Sequence, residues 1–203
     1  MWLGNNRGTE YSREHTELNA LNDSDYWLFS FAEMGLYDDT ANITMIKEKT
    51  GADKIFYLGY SQGTLQINYG LAHLESEFYA DNLYKVVELA PCYVTAGMNS
   101  IDMFNKTTME FQDKGINSIN GPNRKDDLAK ICWNWPSQCP SYTASSTMET
   151  LSVQNIEHLT MNTLMNRFQE FAYNWEEGEY ETPLVQLENI SKVPIAFFTA
   201  TRD

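Results

Sequence analysis

The sequence predicts an α/β fold: a mainly parallel sheet with helices packed on both faces. Three stretches carry this reading. A short β-branched and aromatic run, Ile55 to Leu58, leads into Gly59-x-Ser61-x-Gly63, and Thr64, Leu65, Ile67 and Leu71 then follow at helical spacing. A second run, Tyr84 to Leu89, ends at Ala90-Pro91. A third, Val193 to Phe198, carries Pro194 near its start, where proline is tolerated. Strands separated by helical stretches need crossover connections, which favours parallel pairing.

Taken in order, residues 1–30 are rich in Gly, Asn and Ser around Trp2, Tyr26, Trp27 and Phe29, and read mostly as loop. From Phe31 to Lys49 the spacing of Phe31, Met34, Leu36, Ala41, Met45 and Ile46 predicts a helix, with Gly51 as its stop. The first strand and its helix come next, the helix ending before Asp81. After the second strand the pattern changes. Residues between Tyr93 and Asn189 are rich in Met, Trp, Tyr and Phe, with polar loops at Asn117–Lys125 and Ser137–Thr147. Their clearest helix is predicted over Val153 to Tyr173, with Met161, Leu164, Met165, Phe168, Phe171 and Ala172 on one face. Such a Met-rich helix suits a cap that repacks over an apolar ligand. A second packing layer burying the same face is equally consistent with the pattern.

Composition bounds the function. The 203 residues are 42% hydrophobic and 13% aromatic, enough for one domain with a real core. A formal net charge of -14 and the lack of a basic patch argue against nucleic acid and against electrostatic docking on anionic membranes. No stretch approaches ~20 uninterrupted apolar residues, so no membrane span is expected. The opening Met1-Trp2-Leu3-Gly4-Asn5 turns polar at once and lacks the apolar region of a secretory leader.

The chemistry points to Ser61. Strand, sharp turn and helix around Gly-x-Ser-x-Gly form the context of a serine-hydrolase nucleophile elbow. The flanking glycines let strand and helix approach closely, while the strained turn holds the hydroxyl exposed at the edge of the sheet. The bland alternative is a glycine-rich turn with an incidental serine. Asn22, Asn42, Asn105 and Asn189 each begin an Asn-x-Ser/Thr sequon. Cys132 and Cys139 are close enough to close a small loop, leaving Cys92 unpaired. That pair reads either as a disulfide, implying an oxidising compartment, or as two ordinary thiols.

Ordered motifs along most of the chain resemble the acid lipase branch of the α/β-hydrolases, the gastric and lysosomal acid lipases. Trp2-Leu3-Gly4-Asn5-Asn6-Arg7-Gly8 is similar to the family's W-L-G-N-x-R-G, and Phe29-Ser30-Phe31-Ala32-Glu33-Met34-Gly35-Leu36-Tyr37-Asp38 to its F-S-x-x-E-M-x-x-Y-D. Gly59-Tyr60-Ser61-Gln62-Gly63-Thr64 resembles G-H-S-Q-G-T, with Tyr60 in place of histidine, and Leu89-Ala90-Pro91 resembles L-A-P. Ser152-Val153-Gln154-Asn155 with His158 is similar to S-V-Q-N-x-x-H, and Val193 to Asp203 to the strand and loop bearing the triad acid. The resemblance implies hydrolysis of carboxylic esters of lipids, acylglycerols or sterol esters, at a lipid–water interface. Ser61 would be the nucleophile, the backbone N–H of Gln62 an oxyanion donor and Asp203 the acid, with no metal or organic cofactor. It also implies a secreted or lysosomal setting. The corresponding division is a partial α/β-hydrolase core over 1–95, a cap insertion over 96–188, and a core strand leading to the acid loop over 189–203.

In this fold the triad runs Ser, acid, His in chain order. His15, His73 and His158 all precede Asp203, and each reads as a surface or packing residue. The resemblance therefore implies that the catalytic histidine, the second oxyanion donor and further strands of the sheet lie outside residues 1–203. The alternative is a catalytically inactive homologue that binds lipid or a partner. Oligomeric state is left open by the sequence.

Overall fold

The computed structural model describes residues 1–94, 106, 108–111, 114–119, 150–173 and 181–200. The chain divides into two compact units. Met1–Asn6, Phe31–Val94 and Arg167–Asp203 make the first; Arg7–Ser30 and Thr95–Asn166 make the second.

The first unit contains a parallel sheet whose strands, β1 (Ile55–Tyr60), β2 (Leu83–Leu89) and β5 (Ile195–Phe198), lie side by side in that order. Tyr57 sits opposite Val86, and Val86 opposite Ile195. The predicted strands are all present. β1 runs two residues beyond Leu58 because Gly59 and Tyr60 still pair with Glu88 and Leu89.

Helix α1 (Asp39–Thr50) is entered through a single α-helical turn, Phe31–Glu33, and a π-helical turn, Met34–Asp38. It ends as expected at Gly51, where φ is 68° and the N–H donates to the Lys47 carbonyl at 2.8 Å. Helix α2 (Gln62–Leu74) follows β1 directly, and its residues from Thr64 to Ala72 are all buried. The entry to α1 crosses α2 backbone to backbone. A Cβ on Gly35 would lie 2.1 Å from the Gln66 carbonyl oxygen, and one on Gly70 2.7 Å from that of Gly35.

Ile43 of α1, Ile67 and Leu71 of α2, Tyr79, Leu83 and Val86 form one apolar cluster. It lies on the side of β1 that carries Ile55 and Tyr57. On the opposite side Phe56, Leu58 and Tyr60 are 69%, 64% and 68% exposed. Sequence reading expects helices on both faces; among the described residues they cover one face at β1.

Glu75 fastens the approach to β5. Its carboxylate accepts from the backbone N–H groups of Ser191, Lys192 and Val193 at 2.9, 2.8 and 2.9 Å. Burial pushes this carboxyl's pKa up, but the three N–H donors outweigh it and hold the group below its ordinary value.

In the second unit β3 (Ser118–Ile119) pairs antiparallel with β4 (Leu151–Ser152), which runs into helix α3 (Val153–Met165). Ser152 caps α3, accepting from the Asn155 N–H at 3.1 Å and donating to the Trp27 carbonyl at 2.8 Å. The sequence predicts this helix as far as Tyr173, but it ends at Asn166, in the left-handed conformation with φ 51°. The apolar spacing misleads beyond that point. Phe168 belongs to the first unit, stacking on Phe31 with centroids 5.9 Å apart and tilting against Tyr93 at 5.7 Å. No helix among the described residues is long and apolar enough to cross a membrane.

Candidate active site

Ser61 stands where β1 turns into α2, with φ 51° and ψ -117°. An L-residue adopts such a conformation only where its surroundings impose it. Here the ladder does so: the Ser61 N–H donates to the Leu89 carbonyl at 3.1 Å, continuing the β1–β2 pairing through the turn. On the helix side Thr64 donates twice to the Ser61 carbonyl, through N–H at 2.9 Å and Oγ1 at 2.7 Å. Gly59 is obligatory, since a Cβ there would lie 2.7 Å from the Gly63 carbonyl oxygen. The Ser61 side chain is exposed at the end of the sheet. The strand, sharp turn and helix that the sequence predicts around Ser61 are present.

Gln62 opens α2, in the turn whose backbone N–H groups the intrahelical ladder does not use. Such N–H groups suit a developing oxyanion, and the helix dipole adds to them. Its side chain donates to Met34 Sδ at 3.3 Å.

β2 ends beside the same turn. Ala90 has φ 49°, and its N–H donates to the Phe198 carbonyl at 3.0 Å. Two residues on, Cys92 donates its N–H to Thr64 Oγ1 at 3.4 Å and places Sγ 3.9 Å from Ser61 Oγ. Burial pushes the Cys92 thiol's pKa up, which favours the thiol over the thiolate; in the contact with Ser61 either group can donate. Beneath the turn Glu88 is buried between Asn68 Nδ2 and the Tyr93 hydroxyl, both at 2.5 Å. Burial raises this carboxyl's pKa against the pull of those two hydrogen bonds.

The histidines are engaged elsewhere. His15 Nδ1 accepts from the N–H groups of Glu17 and Leu18 at 3.0 and 2.9 Å. His158, fully buried, bonds Ser30 Oγ through Nδ1 at 3.0 Å. His73 Nδ1 faces the Tyr69 carbonyl at 2.8 Å and Nε2 the Glu170 carboxyl at 3.0 Å, an arrangement that favours the imidazolium, which donates from both nitrogens. Its pKa is raised, chiefly by the hydrogen bond to Glu170.

Asp203, Cys132, Cys139 and Asn105 lie outside the described residues. Of the other sequons, Asn22 is exposed. Asn42 is half-buried in α1 with its amide against Gly4. Asn189 is exposed, its Nδ2 donating to the Ala72 carbonyl at 3.2 Å.

One group that sequence reading misses stands directly behind the turn. Asp39, 4% exposed, accepts from Gln66 Nε2 at 2.8 Å, and the Tyr57 hydroxyl lies 3.2 Å from its Oδ2. A faint signal exists in hindsight: Gly35, Asp39 and Ile43 are spaced by four, which puts a carboxylate on the buried side of its helix.

No protein-family model matches the chain. Three curated relatives illustrate what it is similar to. Bovine gastric triacylglycerol lipase is 27% identical over 239 aligned positions, which take in 100% of this chain and 58% of that protein. Lipase lipl-3 of Caenorhabditis elegans is 41% identical over 93 residues, 45% of this chain and 22% of that protein. Human lysosomal acid lipase/cholesteryl ester hydrolase is 45% identical over 64 residues, 32% of this chain and 16% of that protein. The chain thus spans little more than half the length of the bovine relative. These relatives imply an α/β-hydrolase fold, with which the parallel sheet and its helices agree, and it is gastric and lysosomal acid lipases that the chain is similar to.

Proposed function

We propose that this chain carries the nucleophile of a lipid ester hydrolase acting on acylglycerols or sterol esters in lipid catabolism. The observation that supports it most is the Ser61 turn, with its positive φ, exposed hydroxyl and helix N-terminus beside it. In this reading Ser61 Oγ attacks the acyl carbonyl, the Gln62 N–H stabilises the oxyanion, the alcohol leaves, and water releases the fatty acid from the acyl-serine. Asp203 orients the base. That base is none of His15, His73 and His158, given their partners, so the reading requires it to come from polypeptide outside the 203 residues. The names of the relatives, gastric and lysosomal, support a secreted or lysosomal setting.

The test is turnover by the full-length protein containing these residues, with triolein, cholesteryl oleate, a short-chain ester and a peptide as alternatives. Release of oleate that Ser61→Ala abolishes supports the reading; hydrolysis unaffected by Ser61→Ala sinks it.

One observation favours a second reading. Among the described residues the side-chain partner of Ser61 Oγ is the Cys92 thiol at 3.9 Å, whose pKa burial pushes up. An inactive homologue that holds lipid would bind oleate equally well in wild type and Ser61→Ala, and turn over none of these esters.

A further inference from the structure

Behind the Ser61 turn the side chains of Asn6, Gln66, Asp39 and Tyr57 form one hydrogen-bond network, in which Gln66 Nε2 also faces Asn6 Oδ1 at 3.4 Å and the Tyr57 hydroxyl at 3.2 Å. Asn6 Nδ2 donates to Gln66 Oε1 at 2.8 Å, and Gln66 Nε2 donates to Asp39 Oδ1 at 2.8 Å. The Tyr57 hydroxyl lies 3.2 Å from Asp39 Oδ2 and 3.2 Å from the Gly63 carbonyl oxygen. Gly63 is the last residue of the Gly-x-Ser-x-Gly turn, and its carbonyl packs over Gly59.

Counting protons fixes the roles. A phenol has one hydrogen, and the Gly63 carbonyl can only accept. If the Tyr57 hydrogen serves Gly63, the Asp39 contact is satisfied only when Asp39 donates to the phenol oxygen. If Asp39 is a carboxylate it can only accept, so it competes with the Gly63 carbonyl for the one Tyr57 hydrogen, and Gln66 Nε2 is left as the donor to the phenol oxygen. We propose that Asp39 is a positioning residue for the Ser61 turn, donating to Tyr57 so that the Tyr57 hydroxyl holds the Gly63 carbonyl.

Burial supports the donor state, pushing the Asp39 carboxyl up to about 8, against hydrogen bonds from Gln66 and Tyr57. Of the titratable neighbours, Asp38, the preceding residue, favours the neutral Asp39 acid, and Tyr79, from the turn after α2, favours the neutral Tyr57 phenol. The partners from α2 and from the N-terminal segment, Gln66 and Asn6, are uncharged amides. The network thus has two settings, with the turn braced when Asp39 is neutral and released when it ionises.

The inference rests on Ser61 as nucleophile for its catalytic consequence, but the bracing has a readout of its own. Only two Gly–Thr peptides occur in the sequence, Gly8-Thr9 and Gly63-Thr64. Labelling carbonyl ¹³C glycine together with ¹⁵N threonine therefore gives a small set of peaks by NMR, in which the Gly63 and Gly8 peaks are those that Thr64→Ser and Thr9→Ser remove, and Gly8 serves as the internal control. In the full-length protein the Gly63 carbonyl is expected to shift with pH around the Asp39 titration. That shift is expected to vanish in Asp39→Asn, whose amide still donates, and in Tyr57→Phe. In parallel, the rate of fluorophosphonate labelling at Ser61 is expected to fall about tenfold in Asp39→Leu and to be rescued by Asp39→Asn. The ratio of Asp39→Asn to wild type should then rise as pH passes about 8. A Gly63 carbonyl that does not titrate in wild type, or titrates equally in Asp39→Asn, overturns the proposal. A Gly63 carbonyl that titrates while Ser61 takes no label supports the bracing, and the reading of Ser61 as nucleophile fails instead.

Discussion

The backbone N–H of Ser61 donates to the carbonyl of Leu89 at 3.1 Å, so the turn that presents the serine is the last rung of the β1–β2 ladder. This ties the serine's conformation to the sheet. With φ at 51°, Ser61 occupies backbone space costing roughly 1–3 kcal/mol, offset by this bond and the two that Thr64 makes from the helix side.

The close crossings predict a ranking of glycine substitutions. Gly35→Ala puts a Cβ 2.1 Å from a backbone oxygen of α2, and Gly59→Ala puts one 2.7 Å from the Gly63 oxygen. Neither backbone can move without displacing a helix, so each is expected to cost about 2–3 kcal/mol or more, Gly35→Ala the larger. Gly51→Ala meets open space and carries only left-handed strain, about 1 kcal/mol. Thermal unfolding of the three variants checks the order.

Glu75 gives a pH-dependent prediction. Its folded pKa is below its ordinary value, so its contribution is present above that ordinary value and is lost as pH falls through the folded one. Glu75→Gln is expected to cost about 1–3 kcal/mol at pH 7, because three N–H groups at residues 191–193 lose a charged acceptor. Denaturant titrations should show the gap between wild type and variant closing below about pH 4.

His73 runs the other way. Its folded pKa is raised, so the pairing with Glu170 contributes fully below the unfolded value of 6.5 and fades as pH rises through the folded one. Both side chains are about one-third exposed, which limits the pair to roughly 0.5 kcal/mol. His73→Gln should therefore lower Tm by about 1–2 °C at pH 5.5 and less at pH 8.5.

Much of this was legible in the sequence because it is local. The three strands, the α1 stop at Gly51 and the strand–turn–helix at Ser61 each follow from residues adjacent in the chain. The errors are also local in origin. Gly59 and Tyr60 read as turn, yet pairing with Glu88 and Leu89 keeps them in the strand. The π turn over Met34–Asp38 leaves no mark in an apolar spacing judged at 3.6 residues per turn. Apolar spacing runs on past Asn166, although Phe168 serves the other unit's core. What the sequence hid depends on distant partners. Glu75 meets a loop 116 residues on, Asp39 meets Gln66 27 residues on, and Cys92 Sγ approaches a serine 31 residues back. None of these pairs has a periodicity to announce it.

The central claim is that Ser61 is a nucleophile, and it is tested most directly by peptide mapping of the full-length protein after treatment with a fluorophosphonate. A phosphonyl adduct on the peptide containing Gly59-Tyr60-Ser61-Gln62-Gly63, absent in Ser61→Ala, is the predicted result. An unmodified Ser61 peptide in a folded protein, or equal adduct in wild type and Ser61→Ala, would contradict it and leave the lipid-binding homologue as the better account.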